Sequence, residues 1–389
     1  MTDRFVVNRV RELPASPTIA VAKEAQALRA SGVDVVDFGP GEPDFVTPEH
    51  IRRAAVEALE AGFTHYAPSR GTAELRQAIA RKLTAENALE YDADTEIVVT
   101  PGAKQAILEA VLTAVGPGDE VLIFDPAWGS YEAIVQLTGG SPVHVQLTPD
   151  FAVDPERLRG ALSARTRAII VGSPSNPTGH VLRQQELDLL ADVCVERDLL
   201  LVSDEIYERI QYPGSTPISP ATLPGMRERT VTVNGLSKAY AMTGWRLGYA
   251  AAPAPFMRQM LKVHEHSVTT ATSFAQVGGT VALCGPQEPI RAMVAEFARR
   301  REIIVDGLNR LAGVRCQPPD GAFYAFPDVS GTGMSGTELA RNLLPAGVAL
   351  TPGLGFGQAW DTHVRLSFAT SEERIRTGLH RMEGVLRGL

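Results

Sequence analysis

Two hydrophobic periodicities alternate along this chain, and their order predicts its architecture. Short, nearly continuous apolar runs occupy Glu96–Thr100, Glu120–Phe124, Pro142–Val145, Arg167–Val171, Leu199–Val202, Thr230–Val233 and Leu247–Ala251. Each has the length and composition of a strand buried on both faces. Helical patterns separate several of them, at Ala103–Val115, Tyr131–Leu137 and Gln184–Arg197. Strands alternating with helices predict an α/β fold with a mostly parallel, seven-stranded sheet flanked by helices.

The flanking regions read differently. Thr18–Ala30 has an amphipathic helical pattern, and the strand-like run Val33–Phe38 leads into the turn-rich Gly39–Phe45. Thr47-Pro48-Glu49 then predicts a helix running to Ala61, with Thr47 as N-cap and Pro48 at the first helical position. In Thr72–Glu86, Leu75, Ile79 and Leu83 recur at helical spacing. Beyond about residue 290 come a long charged helix, Ile290–Leu311, strand signals at Ala322–Phe326 and His363–Phe368, and helices at Thr337–Leu344 and Glu372–Leu386. This is the signature of a smaller α+β lobe.

Composition narrows the class. A chain of 389 residues exceeds what one hydrophobic core usually supports, so two lobes are expected. With 44% hydrophobic and 21% charged residues it is an ordinary globular sequence. The net charge is −8 with no basic stripe, which argues against a nucleic-acid partner. Three scattered cysteines, Cys194, Cys284 and Cys316, form neither a metal-ligand set nor a disulfide framework, as suits a reducing cytoplasm. The opening MTDRFVVNRVREL lacks an apolar core with a cleavage site, and no apolar stretch approaches the roughly 20 residues of a membrane span. A cytoplasmic protein is the expectation.

The chemistry gathers at strand ends. Lys238 follows the run Val231–Val233 among small and apolar neighbours, where desolvation favours a neutral amine able to hold an aldehyde as a Schiff base. Asp204 closes the run before Ser203-Asp204-Glu205-Ile206-Tyr207; a helix N-cap is its ordinary use, and pairing with a pyridinium nitrogen is its chemical one. Tyr207 can reach the same group if the chain turns helically after Asp204. Asn176 lies in a turn leaving the same edge. Gly102 and Ala103 leave the first N–H groups of a helix open to an anion, which Ser237 and Arg246 would also bind. Trp128 can stack on a ring, and a strand arginine, Arg365, needs a partner such as a carboxylate. Amine, carboxylate, phenol, indole and anion cradle together meet the requirements of pyridoxal 5′-phosphate.

These residues resemble a known family over almost the whole chain, about Pro14 to Leu386. GEPDF, YAPSRGTAELR, SPSNPTG, SDEIYE, SKAYAMTGWRLGY and VRLSFATSEE are similar to the motifs of class I/II aminotransferases of fold type I, most closely the prokaryotic aspartate aminotransferase branch. The resemblance implies a large pyridoxal-phosphate domain at 46–285 and a small domain at 286–389, to which the N-terminal segment 1–45 contributes. It implies Lys238, Asp204 and Tyr207 as catalytic residues. Gly102, Ala103, Lys104, Trp128, Asn176, Ser237 and Arg246 would hold the cofactor, and Gly41, Trp128, Asn176 and Arg365 the substrate carboxylate. Tyr66 would reach the cofactor of a second subunit, making a homodimer. No metal is implied. Lys104, with Ser16 or Thr18, would receive a distal carboxylate, favouring aspartate or glutamate as amino donor to a 2-oxo acid. Ala103 in place of a second glycine, Gly39-Pro40 before the carboxylate loop and the two histidines in His264–Ser273 depart from the family pattern. They leave open another reaction of the same cofactor, β-elimination or oxidation. A cofactor-binding regulator would need an appended DNA-binding domain. A dehydrogenase would need a dinucleotide-type Gly-x-Gly-x-x-Gly, which is missing.

Overall fold

The computed structural model describes residues 3–13 and 17–388. Seven strands form one sheet in the order Ile97–Thr100, Gly248–Ala251, Thr230–Gly235, Leu200–Asp204, Thr166–Gly172, Glu120–Asp125, Ser141–Gln146. From Thr230–Gly235 to Ser141–Gln146 every pairing is parallel. Gly248–Ala251 runs antiparallel to both its neighbours. The mostly parallel seven-stranded α/β sheet expected from the sequence is thus present.

Alternation within each strand explains why the runs look unbroken. In Glu120–Asp125, Val121 and Ile123 face a core shared with helices Ala103–Ala114, Ser130–Thr138 and Ala254–Ser267. Leu122 and Phe124 face another, which includes helix Gln184–Arg197. A third cluster joins Ile97 and Val99 to helices Ala73–Asn87 and Ser273–Cys284. Since both faces are covered, the inner strands are mostly apolar on either side.

The remaining core gathers helices Glu288–Asn309, Gly336–Leu343 and Glu372–Arg387 around the short strands Tyr324–Ala325, Val348–Ala349 and Val364–Ser367. Val36–Asp37 pairs in parallel with Val348–Ala349, which ties the N-terminal region into this core. Two expected strands are shorter than the pattern suggested. Around Val36–Asp37 the backbone is satisfied outside a ladder: Phe38 N–H donates to Ala349 O, and Phe38 O accepts from Ser367 N–H. Around Tyr324–Ala325, Ala322 N–H donates to Ile210 O instead. Helix Glu49–Glu60 is capped at Pro48, not Thr47. The Thr47 hydroxyl is engaged elsewhere, donating to Ala241 O at 2.6 Å and accepting from Trp245 Nε1 at 3.1 Å.

One contact carries this core toward the sheet edge. Arg300, buried on the long helix, binds Glu296 at 2.8 Å and Asp44 at 2.7 Å. Phe45 packs edge-on against Phe297 with centroids 5.4 Å apart. Helix Glu288–Asn309 thereby fixes the turn that contains Gly41. Phe297 is fully buried and also meets Phe323 at 5.3 Å. Phe297→Ala is expected to cost about 3–5 kcal/mol in denaturant unfolding, while Val46→Ala, at a 73% exposed position, should change stability by under about 0.5 kcal/mol. Equal effects would remove Phe297 from its structural role.

Candidate active site

Parallel strands deliver their C-terminal ends to one edge, where open α/β sheets hold ligands. Here Glu120–Asp125, Thr166–Gly172, Leu200–Asp204 and Thr230–Gly235 share that edge. Ile97–Thr100 joins them through two antiparallel steps. Their loops and the C-terminal core enclose a cavity of about 320 Å³. It is lined by Gly41, Ala103, Lys104, Trp128, Asn176, Asp204, Tyr207, Ser237, Lys238, Arg246 and Arg365, all singled out from the sequence. Gly102 sits directly behind Arg246. Tyr66 is outside the lining and 88% exposed. A larger cavity, about 1040 Å³, lies beside the edge strand Ser141–Gln146 and holds none of these residues.

The amine and the carboxylate are both desolvated. Burial lowers the Lys238 ammonium to about 8; Glu42 works against this, and Arg365 and Arg246 add to it. Its Nζ donates to Gly41 O. Burial pushes the Asp204 carboxyl up to about 6, opposed by hydrogen bonds from Tyr131 and the Ile206 N–H and by the charge of Lys238. Tyr131 Oη donates to Asp204 Oδ2 at 2.8 Å, and Ile206 N–H to Oδ1 at 3.3 Å. No helix starts at Asp204, so it is not an N-cap; the chain turns there, and successive turns carry Tyr207 to the cavity.

Arg365 is 1% exposed. Its Nη1 donates to Asn176 Oδ1 at 3.0 Å and its Nη2 to Gly39 O at 2.6 Å, while Nε finds no acceptor among the described residues. Burial lowers its pKa, and among the described residues no carboxylate pairs with it. A guanidinium has five N–H donors, and an unpaired buried charge costs several kcal/mol. The site therefore holds an unmet demand for an anion.

A second anion corner lies across the cavity. Helix Ala103–Ala114 begins after Gly102, whose φ of 89° is left-handed and whose missing Cβ would collide with the Arg246 guanidinium. Only glycine meets both conditions. Open N–H groups, the positive helix end, the buried Ser237 and the more exposed Arg246 thus converge. Arg246 Nη1 donates to Thr243 O at 2.9 Å. Lys104 Nζ stands 4.7 Å from the centre of the Trp128 ring, and burial and then Arg246 lower its pKa.

Two tyrosines escaped the sequence reading. Tyr131 follows Trp128 by one helical turn and packs edge-on against it, with centroids 5.5 Å apart. That spacing was the available signal. Tyr324, whose Oη is 2.7 Å from Tyr207 Oη, had none beyond its place in a short apolar run. Of the unexpected histidines, His264 is buried, with Nδ1 3.0 Å from Glu109 Oε1. Ser16 lies outside the described residues, as does the Thr18 side chain.

Asp204 gives a pH signature to the cofactor-free protein. Its carboxyl rises from 3.8 to about 6 on folding, so its stabilising contribution is complete below about pH 3.8 and lost as pH rises through 6. Asp204→Asn is expected to remove about 2–3 kcal/mol of that decline, measured by denaturant unfolding between pH 4 and pH 8. An unchanged pH profile would contradict the assignment.

Comparison with known proteins identifies the family. The pattern of the family "Aminotransferase class I and II" matches residues 33–382. The aspartate aminotransferase of Geobacillus stearothermophilus is 42% identical over 97% of this chain and 98% of its own length. The aspartate/prephenate aminotransferase of Thermus thermophilus is 44% identical over 98% of this chain and 99% of its own. The solved structure described as the Thermus thermophilus aspartate aminotransferase with maleate superposes with a TM-score of 0.92 at 44% identity, covering 98% and 99% of the two chains. With agreement of this extent, the chain belongs to the class I and II aminotransferase family.

Proposed function

We propose that the cavity binds pyridoxal 5′-phosphate and that the protein moves an amino group from L-aspartate or L-glutamate to a 2-oxo acid by a ping-pong mechanism. The observation that carries this reading is Arg365, a buried guanidinium without a carboxylate partner among the described residues, facing the same space as a desolvated lysine. The residues fit the cofactor by their own chemistry. The cradle left open by Gly102, with Ala103 N–H, Ser237 and Arg246, suits a phosphate. Asp204, still ionised at neutral pH, suits a protonated ring nitrogen, and Tyr131 holds it in place. Tyr207 and Asn176 suit the ring oxygen, and Trp128 and Lys104 complete the wall.

When bound, the cofactor supplies an electron sink for the substrate's Cα–H bond. Lys238 would hold the cofactor's aldehyde. As a free amine with its pKa near 8, its Nζ would serve as the base for the substrate's Cα proton. Arg365 would grip the α-carboxylate, with Gly41, Trp128 and Asn176 around it, and so orient the Cα–H bond. Lys104 supports a distal carboxylate, in keeping with relatives named for aspartate and a structural neighbour described with maleate, a four-carbon dicarboxylate.

The assembly belongs to the same proposal. Tyr66, projecting into solvent, would complete the phosphate corner of a second copy in a homodimer. Residues 46–285 would form the cofactor domain, with 1–45 and 286–389 as the smaller domain. Three free cysteines are in keeping with a cytoplasmic setting.

The cofactor-loaded protein, given aspartate or glutamate and no acceptor, should release one equivalent of 2-oxo acid and stop. Continuous turnover without an acceptor would mean elimination or oxidation. Lys238→Ala should abolish amino transfer and prevent borohydride from fixing a chromophore to the chain; retained turnover would end this reading. Arg365→Ala is expected to lower kcat/KM about 100- to 1000-fold, mainly through KM, as befits loss of a buried carboxylate partner. Unchanged KM would remove Arg365 from the site.

A further inference from the structure

Tyr324 connects three parts of the cavity that the reading above uses separately. It stands opposite Ser367 in the antiparallel pairing of Tyr324–Ala325 with Val364–Ser367. Arg365, two residues from Ser367, is therefore its diagonal neighbour on the same face. The Arg365 guanidinium lies 4.6 Å from the centre of the Tyr324 ring. Tyr324 Oη is 2.7 Å from Tyr207 Oη. A Cβ on Gly41 would lie 2.9 Å from the same oxygen, so the turn that receives Lys238 Nζ closes directly over it.

The direction of the phenol–phenol hydrogen bond follows from counting protons. Two hydroxyls 2.7 Å apart share one proton between them, and the other must find a second acceptor. Tyr324 is fully buried and, among the described residues, has no acceptor other than Tyr207. Both rings line the cavity, but only Tyr207 keeps exposed surface, 6% against none for Tyr324. Were Tyr207 the donor, the Tyr324 proton would be orphaned inside the protein, at a desolvation cost. With Tyr324 as donor, the remaining proton is that of Tyr207 and points to whatever fills the cavity. Burial raises both phenols, and the Arg365 charge works against this at each.

We infer that Tyr324 is a positioning residue: by donating to Tyr207 it commits the Tyr207 proton to the ring oxygen of the bound cofactor, and its ring holds the Arg365 guanidinium in the plane that receives the substrate carboxylate. This rests on the cofactor and substrate assignment above, and gives the two ends of the site a common support. The hydroxyl and the ring make separate contributions, so two substitutions separate them.

The test is a pH titration of the visible absorbance of the cofactor-loaded protein, with and without succinate as an unreactive dicarboxylate. In Tyr324→Phe the absorbance midpoint should rise by about half to one pH unit, the size that loss of one ordinary hydrogen bond supports, because Tyr207 no longer stabilises an ionised ring oxygen as well. Succinate affinity should change less than about twofold, since the ring remains. In Tyr324→Leu succinate should also bind at least about tenfold more weakly. In the Tyr207→Phe background, Tyr324→Phe should no longer shift the midpoint. A midpoint that stays put in Tyr324→Phe, or an equal shift in the Tyr207→Phe background, overturns the inference while leaving the cofactor reading intact. Wild-type protein that takes up no pyridoxal phosphate overturns both. Should Tyr324→Leu fail to fold, the two phenylalanine variants decide the matter.

Discussion

Everything at the site is organised around a positive charge that no carboxylate among the described residues compensates. Arg365 is almost wholly buried, and its identified acceptors, an amide oxygen and a backbone carbonyl, are neutral. Proteins rarely keep such a charge in the interior, because removing it from water is costly unless an anion replaces the lost hydration. Here the anion must arrive from outside. That single requirement separates this cavity from the larger one beside the edge strand, which has volume but no buried unpaired charge among its lining residues.

Desolvation acts on the neighbouring groups in the same sense, pushing each toward neutrality by a different amount. Lys238 falls to about 8 and Asp204 rises to about 6, so near neutral pH the carboxylate is charged while a fraction of the amine is free. Opposite excursions of this kind are how one site keeps an acid and a base in complementary states. Topology makes it possible. The parallel strands empty at one edge, and the antiparallel strand Gly248–Ala251 begins there, which brings Arg246 to the helix end that would hold a phosphate.

Much of this was legible because it depends on local chemistry. Seven apolar runs gave seven strands, and residue types with strong functional preferences, such as Lys238 and Asp204, fell at or just beyond their ends, while Arg365 stood out as a charge within the strand Val364–Ser367. What stayed hidden depends on distant contacts. Thr47 looks like an N-cap, and only the approach of Ala241 and Trp245 shows its hydroxyl to be occupied. Tyr324 sits in a segment whose apolar pattern signals packing; its contact with Tyr207 spans 117 positions, which no local pattern encodes. Tyr131 was closer to hand, one turn from Trp128, yet nothing local marks which face of that helix meets Asp204. Helix Ala254–Ser267 buries only Met257, Met260 and His264, a stripe too narrow to stand out.

The most direct test of the central claim is a crystal structure of the pyridoxal phosphate-loaded protein with a dicarboxylate bound. The account expects one carboxylate on the Arg365 guanidinium at charge-assisted hydrogen-bond distances of about 2.7–2.9 Å, beside a cofactor joined to Lys238. A dicarboxylate bound elsewhere, with Arg365 still without an anion, would contradict it.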